Sequence, residues 1–290
     1  MAEELDPQTS TTRELDSLRT LKRAVDSVRA RSQQGGDETM VQFRGVHKAF
    51  GSHVVLDNFN IDLKKGQTSV IIGPSGAGKS VFLKLLVGLL EPDQGQIVVD
   101  GVDVTAANES QLFALRKRIG MMFQDGALFD SLTVGENVAF PLERHTNKNA
   151  GEIRDLVAGR LEQVGLPGIE DRMPSEISGG MRKRVSFARA IIMEPAIVLF
   201  DEPNSGLDPM MSDEIDSLIR RMKAELGITF VVISHDIVGT FRVADSISML
   251  YNGQLVAHGR PGELLHAPQD IVRSFLARNI AMPRQQGEPT

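Results

Sequence analysis

The fold of this chain is decided by residues 68–80, which read TSVIIGPSGAGKS. Residues 68–72 are rich in β-branched side chains and predict a buried strand, whereas residues 80–90 predict a helix. The loop between them matches the pattern G-x-x-x-x-G-K-[ST] in full and consists of Gly73, Pro74, Ser75, Gly76, Ala77, Gly78, Lys79 and Ser80. In a unit of this kind, backbone N–H groups and the positive end of the helix dipole surround a phosphate.

Two side chains of this phosphate loop predict what else it binds. Lys79 would reach the β- and γ-phosphates of a nucleotide, and the Ser80 hydroxyl would bind Mg²⁺. A flexible turn with an exposed lysine could carry the same letters. The strand before the loop and the helix after it favour the nucleotide site, because the phosphate-binding geometry needs both.

A pair of carboxylates follows a second apolar stretch. Residues 196–200 (AIVLF) predict a buried parallel strand, and Asp201 and Glu202 come at its carboxyl end, where open α/β sheets bind ligands. Asp201 would hold the Mg²⁺ shell, and Glu202 would polarise a water for in-line attack on the γ-phosphate. An ordinary acidic turn before Pro203 is the alternative, but two adjacent carboxylates at the end of a buried strand are unfavourable without a cation.

A second glycine-containing site opens a later helix-like run. Ser178, Gly179 and Gly180 combine a serine N-cap with two glycines, so they present backbone donors to a second anion. One phosphate loop has no need of this second site. The simplest interpretation is that it faces the γ-phosphate held by another copy of the chain. The basic residues 182–184 that follow are interpreted as a solvated helix face rather than as a nucleic-acid patch.

The other patterns predict that most of the chain is one α/β domain. Residues 41–46 and 55–63 alternate in polarity and predict antiparallel strands. Further short strands, with helix-like segments between several of them, are predicted at residues 96–99, 119–123, 196–200, 228–233, 246–250 and 254–257. The last two flank Asn252-Gly253, which is a two-residue hairpin signal.

The two ends of the chain read differently. Apolar residues recur every three or four positions over residues 11–31 and predict a short amphipathic helix, which a polar, glycine-containing linker follows. This extension is either loosely attached or docks on a partner, and its single narrow stripe favours the first. Residues 281–290 predict a disordered tail.

Composition excludes several classes of function. The 290 residues include 32 basic and 38 acidic side chains, and a net charge of -6 argues against nucleic-acid binding through a global basic field. The absence of Cys excludes disulfides, thiolate metal sites and a Cys nucleophile. No apolar stretch approaches the roughly 20 residues of a membrane span, and the acidic start lacks the features of a signal peptide, so we expect a cytosolic protein.

The whole series of motifs resembles that of ABC-transporter ATPases over roughly residues 40–280. The phosphate loop is followed, in the family's order, by Gln124, ISGGM at residues 177–181, the strand end IVLFDE, SGLD at residues 205–208 and His235. The resemblance implies an α/β P-loop NTPase of the ABC type, with a mostly parallel core sheet, an antiparallel β sub-domain and a helical sub-domain over roughly residues 125–190. The ATPase domain would span residues 40–280, between the extension at 1–39 and the tail at 281–290.

The same resemblance implies a head-to-tail homodimer that binds and hydrolyses ATP with Mg²⁺. Phe50 would stack on adenine, and Ser178, Gly179 and Gly180 would act on the sister subunit's nucleotide. Gln124 would touch Mg²⁺ and couple to a membrane partner. His235 would contact the γ-phosphate, and Asp208 would link the two sites. Without the resemblance, His235 and Phe50 would be assigned to structure alone.

Two positions depart from the family's pattern. Position 181 is Met where most members have Gln, so one polar contact near the nucleotide's sugar is absent. Position 50 is Phe rather than the commoner Tyr, which keeps the stacking face and loses a hydroxyl. Neither change removes a reacting group, so we expect activity to survive.

The segment at residues 123–146 is the most informative about the substrate. It reads FQDGALFDSLTVGENVAFPLERHT and resembles the ATPases of the Mla and Mce lipid-transport systems, as do GKSVFLK at residues 78–84 and SGGMRKR at residues 178–184. This resemblance implies phospholipid or other hydrophobic substrates moved between membranes. The implied partners are an integral-membrane permease and a substrate-binding protein with Mce domains, at the cytoplasmic face of the inner membrane. Alternatively, the apolar residues of the segment only pack the helical sub-domain, and both interpretations can hold.

Two other functions stay open at this point. The chain could energise a different ABC importer or exporter, or it could be a soluble ABC ATPase that acts in translation or DNA repair. The soluble proteins usually carry two cassettes or a long coiled-coil insertion, and neither is found in this sequence. A catalytically dead regulatory subunit is disfavoured, because every reacting group of the family is present.

Overall fold

The computed structural model describes residues 38–124 and 126–281, with the backbone alone at residues 280 and 281. The predicted amphipathic helix at residues 11–31 and all of the predicted tail after residue 281 lie outside the described residues. The strands are β1 (Thr39–Phe50), β2 (His53–Lys64), β3 (Thr68–Ile72), β4 (Gln94–Val99), β5 (Val102–Asp103), β6 (Ile119–Met122), β7 (Ile197–Asp201), β8 (Thr229–Ile233), β9 (Ser246–Tyr251) and β10 (Gln254–Gly259). The α-helices are α1 (Lys79–Leu86), α2 (Glu109–Arg116), α3 (Val134–His145), α4 (Ala150–Gln163), α5 (Gly179–Ile191), α6 (Pro209–Leu226), α7 (Ile237–Val243), α8 (Pro261–Leu264) and α9 (Asp270–Ala281), and a 3₁₀ turn covers Pro174–Glu176.

The central sheet has the strand order β10-β9-β3-β8-β7-β6. Five of its strands run parallel, and β10 returns antiparallel to β9. Every residue of β3 and of β8 is buried. Such strands are covered on both faces, which explains why apolar and β-branched residues predominate in them.

The central sheet separates two hydrophobic cores. Side chains alternate across β3, so Val70 and Ile72 belong to one core and Ile71 to the other. The first core contains the aromatic cluster of Phe187, Phe200 and Phe230, with ring centroids 5.1–6.2 Å apart. The second contains Phe43, Phe59 and Phe82, with centroids 4.8–5.9 Å apart. Phe82 lies on α1, so this core fixes the helix that begins at the phosphate loop.

A second, antiparallel sheet has the order β2-β1-β4-β5. Its strands β1 and β2 pair along most of their length, from Thr39 opposite Lys64 to Phe50 opposite His53. The inner faces of β1, β2 and β4 contribute Phe43, Leu56 and Ile97 to the second core. The sheet therefore ends at Phe50, on the side of the domain where β2 also approaches the phosphate loop.

Helices α3, α4 and α5 form the helical region. Capping boxes at Thr133 and Asn149 begin the first two helices. The buried Asn137 side chain on α3 donates hydrogen bonds to the carbonyls of Phe129, Leu132 and Thr133 at 3.0, 3.1 and 2.9 Å. These bonds hold the loop before α3 in a single shape, because an unpaired buried amide would be costly.

The predicted fold class is confirmed in its architecture, since a mostly parallel sheet, an antiparallel sheet and a helical region are all present. Element ends differ from the predictions. The helix predicted over residues 80–90 ends at Leu86, because the chain turns through Gly88 at a φ of +66° and leaves Leu89 exposed. Within residues 38–124 and 126–281, no helix is both long and apolar enough to cross a bilayer.

Candidate nucleotide-binding site

The phosphate loop leaves the carboxyl end of β3 and enters α1. Gly73 adopts a φ of +153°, and a Cβ there would lie 2.2 Å from the Leu250 carbonyl oxygen. Gly78 adopts a φ of +102°, and its Cβ would lie 3.0 Å from the Val55 carbonyl oxygen. These two positions therefore accept glycine only, and the loop closes tightly over the start of α1.

Lys79 lies across this loop. Its Nζ donates hydrogen bonds to the carbonyls of Gly73 and Pro74 at 2.7 and 3.0 Å. Burial lowers the pKa of Lys79, while the nearby carboxylates of Glu202 and Asp201 act in the opposite direction. Ser80 follows in the first turn of α1 with an exposed side chain. The first N–H groups of an α-helix have no partner within the helix, so the loop can offer these donors, the Lys79 ammonium and the Ser80 hydroxyl to a phosphate chain.

Asp201 and Glu202 lie at the carboxyl end of β7, where Asp201 pairs in register with Ile233 of β8. Burial raises the pKa of Asp201, the adjacent Glu202 raises it further, and Lys79 and Lys84 oppose the change. Glu202 has a φ of +53°, which is uncommon for a residue with a side chain. Because of this backbone turn, the Glu202 side chain does not continue the alternation of side chains between the two faces of β7. It points toward the loop after β8.

His235 lies in the loop after β8 and holds the Glu202 carboxylate. The Glu202 Oε2 atom accepts a hydrogen bond from the His235 backbone N–H at 3.1 Å and lies 2.5 Å from His235 Nδ1. This hydrogen bond raises the pKa of His235, against the effect of its partial burial. Lys79, Asp201, Glu202 and His235 therefore meet at one edge of the central sheet, as the sequence predicted from strand ends and the family resemblance.

The residues predicted to hold Mg²⁺ fit that ion by their chemistry. The raised pKa of Asp201, which burial and Glu202 cause, indicates negative charge that a cation would relieve. Within the described residues no three His, Cys, Asp or Glu side chains converge on a metal position. Mg²⁺ suits such a site, because it keeps several waters and is held by one or two protein ligands together with phosphate oxygens.

Gln124 and Asp208 lie on separate loops, and Gln124 is linked to the loop after β7 by a hydrogen bond. The Gln124 side-chain amide donates to Ser205 Oγ at 3.1 Å, which leaves its carbonyl oxygen available as a ligand. Asp208 is the N-cap of α6 and accepts a hydrogen bond from the Met211 backbone N–H at 2.9 Å. Asp208 thus has a capping role within its own chain in addition to the predicted link between two sites.

Phe50 ends β1 with 49% of its surface exposed. The Lys48 ammonium lies 5.5 Å from the centre of its ring and covers one face. An exposed aromatic ring at the end of a strand can stack on a flat ligand, so the position suits the predicted adenine contact.

Ser178, Gly179 and Gly180 begin α5. Ser178 is the N-cap, and its Oγ accepts a hydrogen bond from the Met181 backbone N–H at 3.2 Å. A Cβ at Gly180 would lie 3.0 Å from Met211 Sδ, whereas a Cβ at Gly179 would meet only the end of the Arg182 side chain, at 3.8 Å. Among the described residues, no hydrogen bond joins these three to Lys79, Glu202 or His235. That they form a second anion site stays a prediction.

The interpretation of residues 182–184 as a solvated face is wrong for Lys183. Lys183 has 6% of its surface exposed, and its Nζ donates to the Gln124 carbonyl and, at 3.5 Å, to the Glu202 carbonyl. Arg182 donates to the Ile177 carbonyl at 3.1 Å, and Arg184 pairs with Glu214. A signal was present in the sequence: Lys183 lies four residues before the buried Phe187 and three after the buried Gly180, so helical spacing places it inside.

A second network that the sequence did not reveal joins the loops at Asn204 and Asp236. The Asn204 side-chain amide donates to Asp216 Oδ1 at 2.8 Å and to Asp236 Oδ2 at 3.5 Å. Asp216 is 2% exposed, and burial raises its pKa to about 6. Its other oxygen, Oδ2, lies 3.9 Å from an Arg242 guanidinium nitrogen and has no hydrogen-bond partner among the described residues.

Known proteins share both the sequence and the fold of this chain. The family model described as "ABC transporter" matches residues 56–205. The "probable ribonucleotide transport ATP-binding protein mkl" of Mycobacterium leprae is 43% identical over 265 residues, which cover 88% of this chain and 76% of that protein. The "intermembrane phospholipid transport system ATP-binding protein MlaF" of Escherichia coli K12 is 41% identical over 237 residues, covering 82% and 88%. Among solved structures, the dimeric post-hydrolysis state of an ATP-binding cassette bound to ADP and Pi is 31% identical, with a TM-score of 0.69, and covers 77% of this chain and 99% of that one.

Proposed function

We propose that this chain, which belongs to the ABC transporter family, is the ATP-hydrolysing subunit of a transporter that moves phospholipid or another hydrophobic lipid between membranes. Family membership makes the chain an ATP-binding ATPase. The observation that carries the lipid assignment is the match to MlaF over 88% of that protein, at 41% identity. The mkl proteins carry a ribonucleotide-transport name at 43% identity, so a ribonucleotide transporter is the second candidate.

The proposed roles follow from the cluster at the sheet edge. Lys79 and the N–H groups of the phosphate loop bind the phosphates, and Phe50 stacks on the adenine. Ser80, Asp201 and Gln124 would hold Mg²⁺, whose charge would help neutralise the γ-phosphate. Glu202 accepts a proton from the attacking water. The oxygen of this water bonds to the γ-phosphorus, and the bond between the γ-phosphorus and the oxygen that bridges to the β-phosphate breaks.

His235 would contact both the Glu202 carboxylate and the γ-phosphate. Its backbone N–H and Nδ1 hold one oxygen of Glu202, so the carboxylate keeps a fixed direction for the water. Its imidazole would contact the γ-phosphate through Nε2. Asp208 would join this site to a second one across the dimer.

We assign Ser178, Gly179 and Gly180 to the sister subunit's nucleotide in a head-to-tail homodimer. Nothing among the residues that the structure describes requires glycine at position 179, because that position does not have a left-handed backbone and has room for a Cβ. A close approach by another molecule would explain the glycine. The dimeric state of the ADP-bound cassette that this chain resembles supports the same assembly.

A groove beside Gln124 suits the proposed permease. It has a volume of about 580 Å³ and lies between α2, α3 and the end of α5. Phe113, Phe123 and Phe129 line it, with 51%, 44% and 44% of their surfaces exposed, and Arg116, Lys117 and Arg189 add positive charge. This combination fits an apolar cytoplasmic segment of a permease that also carries acidic residues. The chain would then lie peripherally at the cytoplasmic face of the inner membrane, in a complex that includes an Mce-domain protein and no nucleic acid.

The test is to reconstitute the chain with its permease and Mce-domain partners and to measure transfer of labelled phospholipid between vesicles. ATP should drive transfer, and Glu202→Gln should stop it. Ribonucleotide uptake into the same vesicles, with no phospholipid transfer, would establish the second candidate. A soluble pool bound to ribosomes or DNA, without a membrane partner, would refute both.

A pair of matched variants tests the groove. Phe129→Ala should reduce co-purification with the permease, because it removes an exposed ring that lines the groove. Leu89→Ala changes an exposed apolar residue that does not line the groove and should leave co-purification intact. Equal behaviour of the two variants would place the permease contact elsewhere.

A further inference from the structure

Lys183 occupies an unusual position for a lysine. It lies in the first half of α5 and is buried, with its ammonium directed at two backbone carbonyls from different loops. One carbonyl belongs to Gln124, and the other, at 3.5 Å, belongs to Glu202. A buried ammonium is unfavourable unless hydrogen bonds compensate for lost hydration, and the bonds to these two loops contribute to that compensation.

Hydrogen bonds to the Glu202 backbone carbonyl can affect the conformation of the loop that carries the Glu202 carboxylate. It also accepts a hydrogen bond from the Ser205 backbone N–H at 3.1 Å. Since Glu202 has a φ of +53°, its backbone adopts a conformation that the residue would not favour alone. The donors on its carbonyl help to hold that conformation, and the conformation sets where the carboxylate points.

The other carbonyl belongs to a loop that α5 holds at three points. We use "Gln124 loop" for Gln124, Gly126 and Ala127. Arg189, six residues after Lys183 on the same helix, donates to the carbonyls of Gly126 and Ala127, both at 2.9 Å. Lys183 and Arg189 thus bind successive parts of the Gln124 loop, but of these two only Lys183 also bonds to Glu202. Phe123 and Phe129, which line the groove, lie on either side of this loop in the sequence.

We propose that Lys183 is a positioning residue that ties the Gln124 loop to the backbone of Glu202, so that a shift of this loop changes the direction of the attacking carboxylate. The proposal rests on the proposed role of Glu202 in hydrolysis and is independent of the lipid and of the permease. Lys183 touches neither nucleotide nor water in this role. It acts through the Glu202 carbonyl, and removing it should slow the hydrolysis step while ATP binding at the phosphate loop persists.

The experiment uses the full chain with Lys183→Met, which keeps the length of the side chain and removes its donors. We expect kcat for ATP hydrolysis to fall by roughly tenfold or more, since small misplacements of a catalytic group have effects of that size. The dissociation constant for ATP should change less than about threefold. Amide hydrogen exchange at Gly126 and Ala127 should become faster. Lys183→Arg keeps a donor in place and should recover part of kcat and of the protection.

Lys223→Met is the matched control. Lys223 is a partly buried lysine on α6 that pairs with Asp245, away from the sheet edge that carries Glu202. Its loss should reduce stability and leave kcat and the exchange of the Gln124 loop unchanged. The proposal is overturned if Lys183→Met hydrolyses ATP at the normal rate, or if the control loses activity to the same extent. If Lys183→Met does not fold, Lys183→Gln, whose polar side chain ends one atom short of the lysine ammonium and cannot reach both carbonyls, must show the same split between kcat and ATP binding.

Glu202→Gln distinguishes failure of the proposed role of Glu202 as the base from failure of the proposed role of Lys183. Normal hydrolysis by Glu202→Gln would refute Glu202 as the base, whereas the exchange measurement would still report whether Lys183 holds the Gln124 loop. Unchanged exchange in Lys183→Met would refute the link even if Glu202 proved essential.

Discussion

Two helices of this chain begin at glycine-containing segments, and the two segments differ in what surrounds them. The phosphate loop before α1 has a cation, two carboxylates and a histidine of the same chain around it. The segment of Ser178, Gly179 and Gly180 before α5 has its serine hydroxyl bonded to its own helix. Glycine is required in the phosphate loop by positive φ angles, but Gly179 has neither a positive φ nor a crowded Cβ position. One chain brings together the residues around the phosphate loop, whereas the proposed role of the second segment requires a molecule from outside.

The helix that follows the second segment is nevertheless joined to neighbouring loops by several hydrogen bonds. Arg182 donates to the Ile177 carbonyl, Lys183 reaches the loops of Gln124 and Glu202, and Arg189 holds Gly126 and Ala127. Helix α5 therefore connects Ser178, Gly179 and Gly180, the proposed half-site for the sister subunit's nucleotide, to the proposed hydrolytic site of its own chain. A ligand that docks on the half-site would contact the start of α5, and Lys183 of this helix bonds to the carbonyls of Gln124 and Glu202.

The largest expected effect concerns the site at which Lys79, Asp201, Glu202 and His235 meet, called the complete site below. Glu202→Gln removes the proton acceptor and keeps the size and most contacts of the side chain. Hydrolysis should slow by about 10²- to 10⁴-fold, the range that general base catalysis contributes. ATP binding should persist, and ATP should now trap a dimer that size-exclusion chromatography detects. Near-normal turnover would assign the base to another residue.

The next effect separates the two segments directly. Gly179→Ala adds a methyl group where the chain has space, so the free energy of unfolding should stay the same or rise by up to about 1 kcal/mol. ATP binding to the single chain should also be normal. Dimerisation with ATP and hydrolysis should fall by at least about tenfold, because the methyl group would obstruct the sister subunit's nucleotide. Loss of stability in place of loss of dimerisation would mean that Gly179 serves its own chain.

Mixing two inactive variants sharpens this result. Lys79→Ala impairs the phosphate loop and keeps the half-site, whereas Gly179→Ala does the reverse. A head-to-tail mixed dimer then contains one complete site, and random mixing should restore up to about a quarter of normal hydrolysis. Each variant alone is the control. A mixture that stays as inactive as its components, although mixed dimers form, would argue against sites shared between subunits.

The difference between the two segments also explains how much the sequence could predict. The strand, loop and helix around Gly73, and the carboxylates after β7, are specified by neighbours along the chain, so pattern and motif located them. The edge of the sheet then brings Lys79, Asp201 and His235 together, because parallel strands end on the same side.

Contacts between loops could not be predicted in the same way. Lys183 bonds to residues 59 and 19 positions away, and Asn204 bonds to Asp216 and Asp236 across two loops. No local period specifies such partners, although the helical period did indicate that Lys183 points inward. Residues 182–184 read as a solvated face because three adjacent cations are typical of an exposed helix surface.

A smaller effect concerns the stability of the complete site. Asp216 supports the loops of Asn204 and Asp236, and its pKa rises from 3.8 to about 6. Between these values the folded state binds more protons than the unfolded state, so stability falls as pH rises from about 4 to about 6 and stays lower above that. The cost at neutral pH is about 3 kcal/mol. Asp216→Asn keeps an acceptor for Asn204 and removes the charge.

Thermal unfolding measures this effect. Asp216→Asn should raise Tm by roughly 5 °C at pH 7.5 and change it little at pH 4.5. Glu225→Gln, at the exposed end of the same helix, is the control and should leave Tm the same at both pH values. A lower Tm for Asp216→Asn at pH 7.5 would show that the ionised carboxylate is stabilising through its partners.

The smallest expected effect is the pH dependence of the Glu202–His235 contact. The hydrogen bond to Glu202 raises the pKa of His235 above 6.5, so the charged pair stabilises the folded chain fully below pH 6.5 and this contribution disappears as pH rises through the higher folded pKa. Because 64% of the His235 side chain is exposed, solvent screens the pair and its contribution should stay under about 1 kcal/mol. His235→Gln should therefore lower the free energy of unfolding slightly at pH 6 and not at pH 9, while hydrolysis falls at both. A stability loss that is equal at both pH values would mean that His235 holds Glu202 as a neutral hydrogen-bonding group, and the complete site would then keep its geometry without that charge.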